Sequence, residues 1–362
     1  MKTKNESASV CARKTSIGGQ ALMEGIMMRG PKRSAMAVRN PEGQIVVEEF
    51  ETKGKNRPAI CRWPVIRGIF GYIDSMTVGY KCLMRSAEIA GLEDMVEEKP
   101  KKKKAKDAEV ETSVPEQTEA TEESTASAEE KKEDDKIPAW VMTAIFVVAM
   151  VFGLGLALFL FKWLPTQIFA WLTIPFPALQ NTGSVFVNSL IKSVFEGVLK
   201  IALLVGYMAA ISLMKDIRRT FMFHGAEHKT IFCYEAGLEL TVENVRLQKR
   251  FHPRCGTSFL ILMLLVNIFI SFFIDPIALA CGTTLSVLER SGISLLLLPL
   301  IVGLGYELIK FAGRHDGWLT KVISAPGVWL QHLTVLEPTD DMIECAIIAV
   351  KEVIPDDESD KW

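Results

Sequence analysis

Histidine is scarce in this chain of 362 residues, with five in all. Its seven cysteines form no Cys-x-x-Cys pair, and their odd number and scatter exclude both a disulfide framework and a zinc ribbon. Free thiols in a reducing cytosol are the expectation. There is no excess of base, with 41 Lys and Arg against 43 Asp and Glu, so no nucleic-acid partner is expected. No phosphate loop, dinucleotide fingerprint or Ser-His-Asp arrangement is present. The first ten residues are polar and lack the basic-then-apolar order of a cleavable signal peptide, so membrane insertion is expected to rely on internal segments.

What is present is segregation. About half of the residues (49%) are hydrophobic, and they are bunched into long runs. Ala139 to Phe161 carries no charge and is long enough to cross a bilayer core of roughly 30 Å. Leu164 to Ser184, with three prolines, reads as a short apolar loop or re-entrant piece. Val185 to Met214, Thr257 to Ile274 and Ile293 to Ala312 read as three further spans. Lys192, Glu196 and Lys200 repeat every four residues in the second span. They form one polar stripe, either an ion-pair ladder or the lining of a cavity. Lys and Arg are concentrated between spans two and three, from Lys215 to Arg254, which marks that loop as cytoplasmic. With four spans, both termini share that side of a plasma membrane.

Outside the spans, Ser16 to Pro31 reads as a packed glycine-rich loop holding Glu24 and Arg29, which either pair or face the site. Ala35 to Arg39 and Gln44 to Phe50 flank Asn-Pro-Glu-Gly and predict a hairpin. Val65 to Ala90 predicts an amphipathic helix on the membrane or against the other helices. Thr339 to Val353 predicts a soluble amphipathic helix capped by Thr339. Residues 97–136, rich in charge and poor in large apolar side chains, predict a disordered linker. The division is an N-terminal region 1–96, the linker 97–136, a bundle 137–314 enclosing a histidine-rich loop 215–256, and a C-terminal region 315–362. The fold class is mainly α: a polytopic membrane bundle of about four transmembrane helices, with a small hairpin-containing cytosolic part and a C-terminal amphipathic helix.

Three of the five histidines fall in two short stretches, Phe223 to Lys229 and Phe251 to Gly256. His224 and His228 are four apart, which puts both rings on one face of a helix. With Glu227 they spell His-x-x-Glu-His, the inverted zinc-protease pattern, in which histidines are ligands and the glutamate is a base. One helix is expected to run from the second span through His224 to Tyr234, ending at Gly237. A second, over Thr241 to Phe251, then returns His252 and Cys255 to the same membrane edge. The assignment is a divalent metal, zinc by ligand type, held by His224, His228 and either His252 or Cys255, with Glu227 as catalytic base. Glu235 and Glu307 are candidates for the third ligand or for orienting a histidine. His315 and His332 are expected to do no chemistry, and Cys61, Cys82 and Cys233 to pack as small apolar residues.

Gly18 to Pro31, Phe223 to Thr230 and Arg250 to Phe259 together resemble the YqhQ-like family of bacterial membrane proteins. The resemblance covers nearly the whole chain outside the linker and the extreme ends. It implies a multi-pass protein of a Gram-positive-type plasma membrane and a metal-dependent enzyme built on these histidines, and it names no substrate. Two functions follow. One is a metal-dependent hydrolase at the cytosolic membrane face, acting on a peptide or lipid-linked substrate. The other is a non-enzymatic assembly or scaffold factor whose structural or sensory metal is closed by three histidines and Cys255. A transporter, suggested by the charged stripe, ranks third because four spans without an internal repeat make a poor transport path. The bilayer is an expected partner, and the sequence names no protein partner.

Overall fold

The computed structural model describes residues 14–52, 58–91, 139–315 and 317–361. The linker expectation for 97–136 lies outside the described residues. The chain builds two parts that share one end: a bundle of long apolar helices and a small sheet-and-helix unit.

The unit begins with four antiparallel strands in sequence order: β1 (Gly18–Leu22), β2 (Gly25–Arg29), β3 (Arg33–Arg39) and β4 (Ile45–Glu51). The β3–β4 hairpin matches the expectation from sequence. Its turn is closed by Asn40, whose Oδ1 accepts from the Gln44 N–H at 2.8 Å, with Gly43 at φ +85°. The stretch expected to be a glycine-rich loop is instead a second hairpin, β1–β2. The reason is burial on both faces. Ile26, Met28, Ala35 and Ala37 face one core with α11 (Asp340–Val353), while Met27, Met36 and Val38 face a second core with α1 (Ile66–Ile89). A strand buried on both sides loses the apolar–polar alternation that marks a half-exposed one.

Helix α11 forms over the stretch expected to be an amphipathic helix, with Asp340, Glu344 and Lys351 exposed and its apolar side inward. Met342, Ile343, Cys345, Ala346, Ala349 and Val350 are all fully buried between the sheet and α5 (Lys215–Glu235). Thr339 stands at its N-cap position with extended backbone, but its side chain makes no capping bond. Helix α1 forms where the sequence predicts an amphipathic helix and packs with its small-residue face inward. Gly68, Gly79, Cys82 and Ser86 are buried, while Phe70, Ile73, Met76 and Tyr80 point outward.

Among the described residues, three helices are long and apolar enough to cross a membrane, or four if a bent pair counts as one. The first combines α2 (Ala139–Leu158), a π-turn over Phe159–Trp163 and α3 (Leu164–Thr173). It therefore runs on to Thr173, through the first half of the segment expected to be a loop or re-entrant piece, whose remainder is irregular. Pro165 stands directly after the π-turn, where the Leu164 N–H bonds Phe159 O and the regular ladder is already interrupted, so a residue without an N–H is accommodated. The second is α4 (Val185–Ile211) and the third α7 (Gly256–Ala280). The bent pair is α8 (Val287–Leu296) with α9 (Leu298–Arg314), at 49°. Helix α10 (Trp318–Thr334) lies along α7, with Gly327 at the crossing, where a Cβ would come within 2.6 Å of Ser258 Cα.

The second span does not continue through the histidines as one helix. Helix α4 ends at Ile211, Ser212 to Met214 form a turn with Met214 extended, and α5 starts afresh at Lys215. This break coincides with the change from apolar to charged sequence and lets α5 leave the bundle to lie on the sheet.

Candidate metal centre

Helix α5 carries His224 and His228 one turn apart, and their rings meet edge to face at 4.5 Å between centroids. Backbone carbonyls fix both rings. His224 Nδ1 donates to the carbonyl of Thr334 at 2.9 Å, and His228 Nδ1 donates to the carbonyl of Arg250 at 2.6 Å. With each Nδ1–H spent in this way, each Nε2 is left as the free donor. The chain after α10 reaches His224 because residue 225 is glycine. A Cβ there would overlap the carbonyl oxygen of Leu336, whose own N–H bonds Phe221 O at 3.0 Å. Inside a helix, glycine is costly unless a backbone must come this close.

Cys255 supplies the third donor from the N-cap of α7. Its Sγ lies 3.1 Å from His224 Nε2 and accepts from the Thr257 N–H at 3.4 Å. One donor atom from each of His224, His228 and Cys255 falls within 4.8 Å of the others. Burial alone pushes the Cys255 thiol up, but the imidazoles of His224 and His228 together outweigh it and hold the thiol well below its ordinary range. The same pairing works against burial on His224, whose pKa rises to about 9. The thiolate that this pairing favours sits at a helix N-terminus, which stabilises negative charge.

Residues 63–356 match the family described as "Protein of unknown function (DUF1385)". The chain belongs to that family. It is 32% identical over 343 residues, 93% of this chain and 92% of the other, to "Uncharacterized protein YqhQ" of Bacillus subtilis (strain 168). No solved structure matches it. The family match takes in all three donors, whereas the strands that pack on α5 precede it.

Glu227 lies on the inner side of α5, 5% exposed. Its Oε1 accepts from the Gly19 N–H at 3.0 Å, and its Oε2 is buried with no hydrogen-bond partner. Burial raises its pKa against the pull of His224 and His228. Sequence reasoning missed Gly19. A Cβ there would stand 2.7 Å from the Met27 carbonyl oxygen and 3.0 Å from Glu227 Cδ, so only glycine lets β1 approach this carboxylate. The Gly18-Gly19 pair was the available signal.

His252 is close by but faces another way. Its ring lies 5.6 Å from that of His228, yet Nδ1 accepts from the Arg254 N–H at 3.3 Å, and Nε2 lies 3.2 Å from Arg254 Nη2 and 3.7 Å from Glu235 Oε2. Burial lowers its pKa to about 4 and keeps the ring neutral. Glu235 is committed to this second layer. It accepts from the Thr15 N–H at 2.8 Å and pairs with Arg254, which in turn donates to Thr15 O. Glu307 is engaged elsewhere: both its oxygens bond Arg67 at the start of α1. Glu24 pairs with Arg219 of α5 rather than with Arg29. The segment carrying His252 is clamped by Gln331 of α10, which is fully buried. Gln331 accepts from the His252 N–H at 2.8 Å and donates to the His252 carbonyl at 2.7 Å.

Proposed function

We propose that this membrane protein holds a divalent metal, zinc by ligand chemistry, on His224, His228 and Cys255, and that it is a metal-dependent hydrolase acting at the cytosolic membrane surface. The observation that carries this reading is the convergence of the three donors within 4.8 Å, with both histidine Nδ1 atoms already tied to carbonyls. Two nitrogens and a sulfur are a donor set that zinc accepts, and three protein ligands leave a fourth position open. A bound ion at such a site polarises a substrate oxygen and acidifies water.

The chain's own groups do the rest. Cys255 supplies the negative charge that offsets the cation. Glu227 is anchored at Oε1 by Gly19, which leaves Oε2 free to take and return a proton. His252, held by Arg254 and Glu235, buttresses the His228 ring instead of closing the coordination, and this favours an open site over the closed four-ligand metal of a scaffold factor. The position at the foot of the apolar bundle suits a peptide or lipid-linked substrate presented at the membrane.

Glu227→Gln should keep the metal and abolish function, scored as metal content of the purified protein beside complementation of a deletion strain. A Gln variant that complements like wild type, while His228→Ala does not, rejects the base role.

A second reading rests on the 3.1 Å contact between Cys255 Sγ and His224 Nε2. A thiol beside a histidine oriented by a third group, here the Thr334 carbonyl, is the arrangement of a cysteine nucleophile. Full activity in metal-stripped protein, together with inactivation by iodoacetamide, would select this reading over the metal one.

A further inference from the structure

A second polar cluster lies at the other end of the bundle. Asp275 is twenty residues beyond Cys255 along α7, about 30 Å at the rise of an α-helix, roughly the thickness of a bilayer core. Beside it, Lys162, Lys192, Lys200 and Arg290 line a cavity that opens to solvent, with Glu196 in its wall. Asp275 pairs with Arg290 at 3.5 Å. Four cations thus meet two carboxylates, which leaves an excess of two positive charges.

The carboxylates do not use up the donors. Glu196 pairs with Lys200 at 3.5 Å and accepts from Thr166 Oγ1 at 3.0 Å. Arg290 Nη1 lies 3.6 Å from Glu196 and 3.5 Å from Asp275 but is buried without a hydrogen bond. The ammonium groups of Lys162 and Lys192 have no carboxylate within 4 Å among the described residues. An excess of buried charge among membrane helices is costly without a counter-charge, and such residues usually mark a binding path. The Nη1 end of the Arg290 guanidinium, whose Nη2 donates to Ser193 Oγ at 3.4 Å, suits a tetrahedral oxyanion with several acceptor oxygens, together with two unpaired ammonium groups and the Ser271 hydroxyl.

We propose that this cavity binds a phosphate group, carried by an anionic lipid headgroup or free in the water, at the end of the bundle away from the histidines. It is a site separate from the candidate metal centre and does not depend on it.

The test uses the full chain purified in an uncharged detergent, with its unfolding midpoint followed against dihexanoyl phosphatidylglycerol, dihexanoyl phosphatidylcholine and inorganic phosphate. Saturable stabilisation by phosphatidylglycerol alone assigns the site to an anionic headgroup, and equal stabilisation by inorganic phosphate assigns it to the free ion. In either case the Lys162→Met/Lys192→Met variant should bind at least about tenfold more weakly, and Lys162→Arg/Lys192→Arg should stay within about threefold of wild type. Asp275→Asn, which removes a competing carboxylate, should bind more tightly, and this arm holds even if the methionine variant does not fold. No saturable response from any probe, unchanged affinity in the methionine variant, or weaker binding in Asp275→Asn would overturn the proposal.

Discussion

At the scale of single residues, the centre is defined by what each nitrogen is doing. His224 and His228 point Nε2 inward because their Nδ1 atoms are spent on Thr334 O and Arg250 O. His252 is in the same neighbourhood with both nitrogens turned to Arg254 and Glu235. Its burial has a consequence for acid stability. Its pKa is about 4 in the fold against 6.5 for the free side chain, so between those values the unfolded chain binds the proton and the folded chain does not. Stability from this group is fully present above pH 6.5 and is lost as pH falls toward 4, by up to about 3 kcal/mol. His252→Phe should therefore flatten the acid limb of unfolding midpoint against pH between 4 and 6.5. An unchanged limb would place the acid sensitivity elsewhere. Sequence reasoning could see the His-x-x-Glu-His spacing because helix geometry alone puts i and i+4 together. It could not see the carbonyl partners, because a backbone oxygen leaves no mark on residue type. Nor could it choose between His252 and Cys255, since that choice depends on Arg254 and Glu235 capturing the imidazole.

At the scale of elements, the centre sits where α5, the start of α7 and the end of α10 meet. Gln331 joins two of these by bonding both the N–H and the carbonyl of His252. Gln331→Leu leaves those two backbone groups buried and unpaired, at a cost of about 2 to 4 kcal/mol, and loosens the segment that positions Cys255. The expected outcome is a lower unfolding midpoint and a 10- to 100-fold loss in zinc affinity, the usual range for groups that orient a ligand. Wild-type affinity measured by competition with a chromophoric chelator would show that the clamp is irrelevant to the centre. Some elements were hidden in the sequence for identifiable reasons. Strand β2, Gly-Ile-Met-Met-Arg, buries both faces and so lacks a period of two. The break between α4 and α5 falls on Ser212-Leu213-Met214, with neither glycine nor proline to announce it. The β3–β4 hairpin was legible because its turn residues carry their own geometry.

At the scale of the whole molecule, apolar helices and a sheet-and-helix unit meet at the centre, and the unit ties down both ends of the described chain. Thr15 Oγ1 and Tyr234 both bond Asp360, and Ser16 bonds its carbonyl. The long spans were legible from composition, whereas the closeness of residue 19 to residue 227 was not, because a contact across some two hundred residues has no local signature. The central claim is that two imidazoles and one thiolate share an ion. It is tested most directly by zinc content and zinc-edge X-ray absorption on protein purified without added chelator. The account predicts about one zinc per chain with two nitrogen ligands and one sulfur at about 2.0 and 2.3 Å, and loss of the ion in His228→Ala and Cys255→Ala. Protein free of metal, or an ion that stays bound with unchanged sulfur ligation in Cys255→Ala, would contradict it.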